Sequence, residues 1–295
     1  MRCGAASSVL AIAYLLSSQP TLARVPAAGA ETQNVCPPAS TDKRQIGPEV
    51  TIAELRFEGD LRMPTADQDQ IAIALKQRTY SGEPDGVASD VLERVRRAWQ
   101  DHGYFKVEVY GSAKVLTSSP ASKRIAVNVQ VDEGQQFRLR DVRFNNNREI
   151  TNVAALRSLF PLNDGDVFDR AAISKGLDNL RFAYLQLGFL NFTSIPNTQM
   201  DEGLPAISLV IDVDEGKKFY VSNVSTIGLD AAILKDSLLK RGEVYNQRLA
   251  DMFVREHLPP SLNGVSPDSR IHLQRDERAG LVAVTFDFRS CHSEE

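Results

Sequence analysis

Two stretches of the chain read almost alike: VDEGQQFRLRDVRF, Val131–Phe144, and VDEGKKFYVSNVST, Val213–Thr226. They share Val131/Val213, Asp132/Asp214, Glu133/Glu215, Gly134/Gly216, Phe137/Phe219 and Val142/Val224. The second begins 82 residues after the first (213 minus 131). A motif recurring at such a period marks an array of similar units. Each copy closes a segment of alternating character. Ile207, Leu209, Ile211 and Val213 alternate with Ser208, Val210 and Asp212, and Ile125, Val127, Val129 and Val131 behave likewise. That is the period of a half-buried strand. The valine is expected to end the strand facing inward, the acidic pair to lie in solvent, and the glycine to turn the chain into the next unit.

Between the two copies the pattern orders itself as β-α-α-β-β. Residues 137–144 are β-rich, and their apolar positions change phase between Leu139 and Val142, which predicts a bulge. Asn145-Asn146-Asn147 is a turn. Val153, Leu156, Leu159 and Phe160 fall at helical spacing and Pro161 stops that helix. Ile173, Leu177, Leu180 and Tyr184 form the stripe of a second helix, with Gly188 placed to close it in a left-handed conformation. The preceding interval repeats this order. Val91, Leu92, Val95, Ala98 and Trp99 make the stripe, and His102-Gly103-Tyr104-Phe105 matches Leu187-Gly188-Phe189-Leu190. A third interval is altered. KRGEVYNQRL echoes NDGDVFDRAA, but its second helix ends in Leu258-Pro259-Pro260 without a Gly-aromatic step. The expected division is a module over 50–134, a second over 135–216, a divergent third over 217–289, and a tail, 290–295.

The first thirty residues stand apart. Arg2, an apolar run from Val9 to Leu16 and small residues after it form the pattern of a secretory signal peptide. The run is too short to span a bilayer. Cleavage after Ala23 or Ala30 fits, with Ala28-Gly29-Ala30 the better small-x-small site. Residues 31–49, with Pro37-Pro38, read as a flexible lead. Of three cysteines, Cys3 goes with the signal, leaving Cys36 and Cys291 as a candidate disulfide. Both sit outside the repeats, so a bridge would staple tails or join two chains in a homodimer. A net charge of −4 with 24% charged residues gives no basic excess, which argues against nucleic acid as a partner.

In order and motif the repeats resemble the POTRA, or polypeptide-transport-associated, domain that precedes the barrels of outer-membrane assembly and translocation proteins. The VDEG joints, the loops Gly165-Asp166-Val167-Phe168 and Gly242-Glu243-Val244-Tyr245, and the steps Gly103-Tyr104 and Gly188-Phe189 carry the resemblance. It implies an α+β architecture: three tandem modules, each with two helices on a three-stranded mixed sheet. It implies the periplasm, next to an outer membrane, with membrane contact only through a partner. The partners it implies are a barrel protein or unfolded outer-membrane clients. The chain ends at Glu295, with no room after the third unit for a barrel at about ten residues per strand. The resemblance therefore predicts either a barrel-less relative or a fragment of a barrel-bearing protein.

Catalysis has no support in the residues. His102, His257, His272 and His292 are scattered, with no metal-ligand spacing. No nucleophile elbow, phosphate loop or dinucleotide glycine pattern occurs, so no cofactor, metal or catalytic residue is assigned. In the POTRA fold the strand after the second helix lies at a sheet edge, where unpaired backbone groups can accept a client strand. That strand is expected at Phe105–Tyr110, with Val107 and Val109 inward and Lys106, Glu108 and Tyr110 outward. In the next unit it is expected at Leu190–Ser194, including Phe192. The function that follows is scaffolding or sheet-edge binding in outer-membrane protein assembly or transport. A self-associating structural repeat protein of the envelope is the alternative.

Overall fold

The computed structural model describes residues 48–262 and 264–289. The expected signal segment, all but the last two residues of the lead, Cys36, Cys291 and the tail lie outside them.

Three sheets follow one another along the chain. In the first, β1 (Glu49–Glu58) runs parallel to β4 (Ser122–Asp132), which pairs antiparallel with β3 (Glu108–Ser118). The helices α1 (Thr65–Lys76) and α2 (Pro84–Asp101) lie between β1 and β3 in sequence. A short β2 (Tyr80–Ser81) adds a fourth strand beside β1, where three were expected. The second sheet has β5 (Arg138–Asn145) parallel to β7 (Ala206–Asp214), with β6 (Thr193–Asp201) antiparallel on its far side. Its helices are α3 (Val153–Arg157) and α4 (Arg170–Gln186). The third has β8 (Tyr220–Ile227) parallel to β10 (Leu281–Asp287) and β9 (Ile271–Asp276) antiparallel at the edge. It keeps one α-helix, α5 (Gln247–His257). A 3-10 turn, Ala231–Asp236, stands where a first helix was expected.

The sequence pattern explains these elements. The inward residues of β4 and β7 are buried throughout, and Val91, Val95 and Trp99 bring the α2 stripe onto the sheet with no exposure. Register shifts between Leu139 and Asp141, where the change of apolar phase placed a bulge, and likewise in β1 and between β10 and β8. The α3 helix is only five residues long, because Leu159 and Phe160 turn off its axis before Pro161. Each sheet has its own hydrophobic core.

Candidate functional site

The joints are the first surprise. Gly134 and Gly216 turn the chain with φ of 64° and 68°, and Asp132 and Asp214 accept hydrogen bonds from their amides at 3.3 and 3.1 Å. The glutamates do not lie in solvent as expected. Glu133 is only 2% exposed. It accepts hydrogen bonds from the backbone amides of Arg62 (2.6 Å) and Met63 (3.1 Å) and from the Trp99 indole N–H (2.9 Å). Half-buried Glu215 does the same work with the amides of Arg148 (2.7 Å) and Glu149 (2.8 Å) and the Tyr184 hydroxyl (3.1 Å). In both modules one carboxylate ties the loop after the first strand to the end of the second helix. A buried charge is tolerated only with such a set of donors. Burial, then the Glu215 hydrogen bond, raises the Tyr184 hydroxyl well above its ordinary pKa.

The Gly-aromatic steps connect modules. After α2, Tyr104 N–H reaches Trp99 O and Gly103 N–H reaches Gln100 O; after α4, Phe189 and Gly188 repeat this with Tyr184 and Leu185. These are Schellman closures, with the glycine left-handed at φ 86° in each case. Tyr104 and Phe189 then fold back into their own cores. The next residue does not. Phe105 meets Phe137 and Phe168 of the second module edge to face, and Leu190 joins the core of the third. The Gly103 carbonyl accepts the Phe137 amide at 2.9 Å, and the Gly188 carbonyl accepts the Phe219 amide at 2.9 Å.

This corrects the expected edge strands. Phe105 and Lys106 form a turn before β3, and Lys106 pairs with Glu202 across the module boundary at 2.8 Å. Leu190 is a buried plug in the third core, Phe192 is buried in its own core and stacks on Tyr184 at 4.3 Å, and of the three only Ser194 belongs to β6. Glu108 and Tyr110 do stand exposed on β3, while Val107 and Val109 are buried. Among the described residues, strands β3, β6 and β9 each pair on one side only. Both joint glycines lie against the turn that leads into the edge strand, Gly134 beside Lys106 and Gly216 beside Asn191.

Sequence reasoning missed a polar network in the third module. The Tyr245 hydroxyl donates to Gln247 Oε1 at 2.8 Å, and Gln247 Nε2 donates to Asp251 (2.7 Å) and Asp268 (3.2 Å). Burial pushes Asp251 above the usual carboxylate range, and nearby Asp268 adds to it. No local spacing signals this set, since Gln247 and Asp268 are 21 residues apart. Among the described residues no group of three or more His, Cys, Asp and Glu could hold a metal ion. Among them, too, no helix is long and apolar enough to cross a membrane.

Residues 137–216 match the family model for POTRA, described as surface antigen variable number repeat. The outer membrane protein assembly factor BamA of Buchnera aphidicola subsp. Acyrthosiphon pisum (strain APS) is 23% identical over 184 residues. The match takes in 60% of this chain and 28% of that relative, so the chain spans less than a third of its length. The crystal structure of Haemophilus influenzae BamA POTRA3-5 superposes with a TM-score of 0.57 at 16% identity, covering 83% of this chain and 98% of that one. Residues 137–216 thus match the POTRA family, and the fold over most of the chain is that of the solved POTRA modules.

Proposed function

We propose that the protein is a non-catalytic periplasmic binding protein that assists outer-membrane protein assembly or polypeptide transport. It does so by offering sheet edges to extended clients or to a barrel partner. The observation that carries this reading is the edge strand β3, eleven residues long, paired among the described residues only with β4, with Glu108 and Tyr110 turned to solvent. Its outer backbone N–H and C=O groups accept a strand by hydrogen bonding, with little regard to the client's sequence. The likeness to POTRA modules of an assembly factor supports the same reading, and the signal-like N-terminus supports export. A photo-crosslinking residue placed at Glu108 in cells tests it. Capture of barrel proteins or their unfolded precursors is expected. Capture of nothing but other copies of the chain would sink the assembly role in favour of self-association.

A further inference from the structure

The third module joins its second helix to its last hairpin differently from the other two. Six residues separate α2 from β3, and six separate α4 from β6, each connection closed by the Gly-aromatic step. Thirteen residues, 258–270, separate α5 from β9, and their sequence contains no such step. Polar groups tie the end of this longer connection to the helix. The 3-10 turn Pro267–Arg270 brings Asp268 against α5, where Gln247 Nε2 donates to Asp251 at 2.7 Å and to Asp268 at 3.2 Å. The buried Tyr245 hydroxyl donates to Gln247 Oε1 at 2.8 Å, which fixes the end of the amide that faces the two acids.

Two carboxylates thus share one donor nitrogen and lie within hydrogen-bond reach of each other. Both cannot ionise there without repulsion, and half-buried Asp251 is the one with less access to water. The surrounding cations compensate in part. Arg255, one turn on along α5, favours ionised Asp251, and Arg181 of α4 and Arg275 of β9 line the same cleft. Asp178, one turn before Arg181, lines the neighbouring cleft instead. Among the described residues, the ion pairs of this module lie elsewhere: His257 with Asp236, and His272 and Arg289 with Asp287. We propose that Asp251 and Asp268 form an acid-tightened latch. In mildly acidic solution Asp251 holds a proton and donates a hydrogen bond to Asp268, fastening the turn before β9 to α5. Near neutral pH the proton leaves, and the two carboxylates push that turn away from the helix. Burial raises the Asp251 carboxyl above its ordinary value, and the Asp268 charge adds to this against the Gln247 hydrogen bond. The folded chain therefore holds this proton more tightly than the unfolded one. The stability it adds is complete below the ordinary carboxylate range and is lost as pH rises through the raised value. Asp287 behaves in the reverse sense, its contribution being lost in acid. The latch stands whether or not the chain binds outer-membrane clients, and it makes the freedom of β9 depend on the pH around the protein.

Amide hydrogen exchange of the full chain, expressed as protection factors at pH 7.5 and pH 5, tests this. The Asp287–Arg289 pair stays intact across that window. The β9 amides should gain about fivefold in protection on going to pH 5, as one hydrogen bond between partly exposed groups provides, while the β4 and β7 amides do not change. Asp251→Asn places an amide that donates to Asp268 at any pH, so it should hold the higher protection at both values. His272→Gln should keep the wild-type dependence, because that ring faces Asp287 rather than the latch. Carbon-13 NMR of the side-chain carboxyls should show Asp251 titrating above the usual carboxylate range. Equal β9 protection at both pH values in the wild type, an undiminished pH dependence in Asp251→Asn, or an Asp251 carboxyl that titrates in the ordinary range overturns the proposal. Should Asp251→Asn fail to fold, the wild-type carboxyl titration decides by itself.

Discussion

Glu133 shows how one side chain can organise a module. Its nearly fully buried carboxylate is the acceptor for two loop amides and an indole N–H. Glu133→Ala strands two buried donors, the Met63 amide and the Trp99 indole, and a part-buried one, the Arg62 amide, which should cost about 3 kcal/mol. Glu133→Gln keeps one carbonyl acceptor and should cost roughly half as much on the same reasoning. Trp99 is the chain's only tryptophan and donates to that carboxylate, so urea unfolding followed by its fluorescence reads this module directly. Glu215→Ala should cost only about 1 kcal/mol, because water reaches the half-buried site and replaces the lost acceptor. In the third module Asp287 is held by Arg289 hydrogen bonds at a pKa of about 2, below its ordinary 3.8. Its contribution is therefore complete above about pH 4 and is lost as pH falls toward 2, on the order of 2 kcal/mol. Arg289→Ala should lower stability at pH 7 and flatten that acid limb, which urea midpoints at pH 7 and pH 2.5 would reveal.

Among the elements, the step after the second helix does the most. A Cβ on Gly103 would sit 2.9 Å from Phe137 O, and the residue's φ of 86° is itself unfavourable to other side chains. Gly103→Ala should cost about 1–2 kcal/mol and loosen the contact between the first two modules. Phe105→Ala should do likewise by removing half-buried aromatic area from the second core, again about 2 kcal/mol. Hydrogen exchange at the Phe137 amide, bonded to Gly103 O, should quicken in both variants while the β4 amides stay protected. Unchanged exchange at Phe137 would show that the plug does not hold the modules together. The glycine and the aromatic pair were legible in the sequence, since both recur at the same place in two intervals. Which ring goes home and which enters the neighbour was not, because adjacent residues differ only in where the neighbour's backbone passes.

For the whole molecule, the plugs imply that successive modules are docked rather than strung on free hinges. A double variant, Phe105→Ala with Leu190→Ala, should raise the radius of gyration in small-angle scattering while circular dichroism keeps its native shape. A radius unchanged from wild type would mean that the ion pairs at the boundaries, such as Lys106–Glu202 and Arg170–Asp101, suffice to hold the arrangement. Exposed pairs of that kind contribute only a few tenths of a kcal/mol each, so the apolar plugs are expected to dominate.

The repeat, the β-α-α-β-β order of its second unit, the bulge in that unit's first strand and the glycine turns were settled by the sequence alone. Each follows from local periodicity or from backbone freedom at a single residue. Tertiary structure decided the rest. It turned Glu133 from an expected surface acid into a buried acceptor, because the loop at Arg62–Met63 and the indole of Trp99 arrive from 71 and 34 residues away. It buried Leu190 in the third core and Phe192 in its own, rather than leaving either as an edge residue. Hydrophobic period tells a residue to be buried; only the packing of distant elements says in whose core.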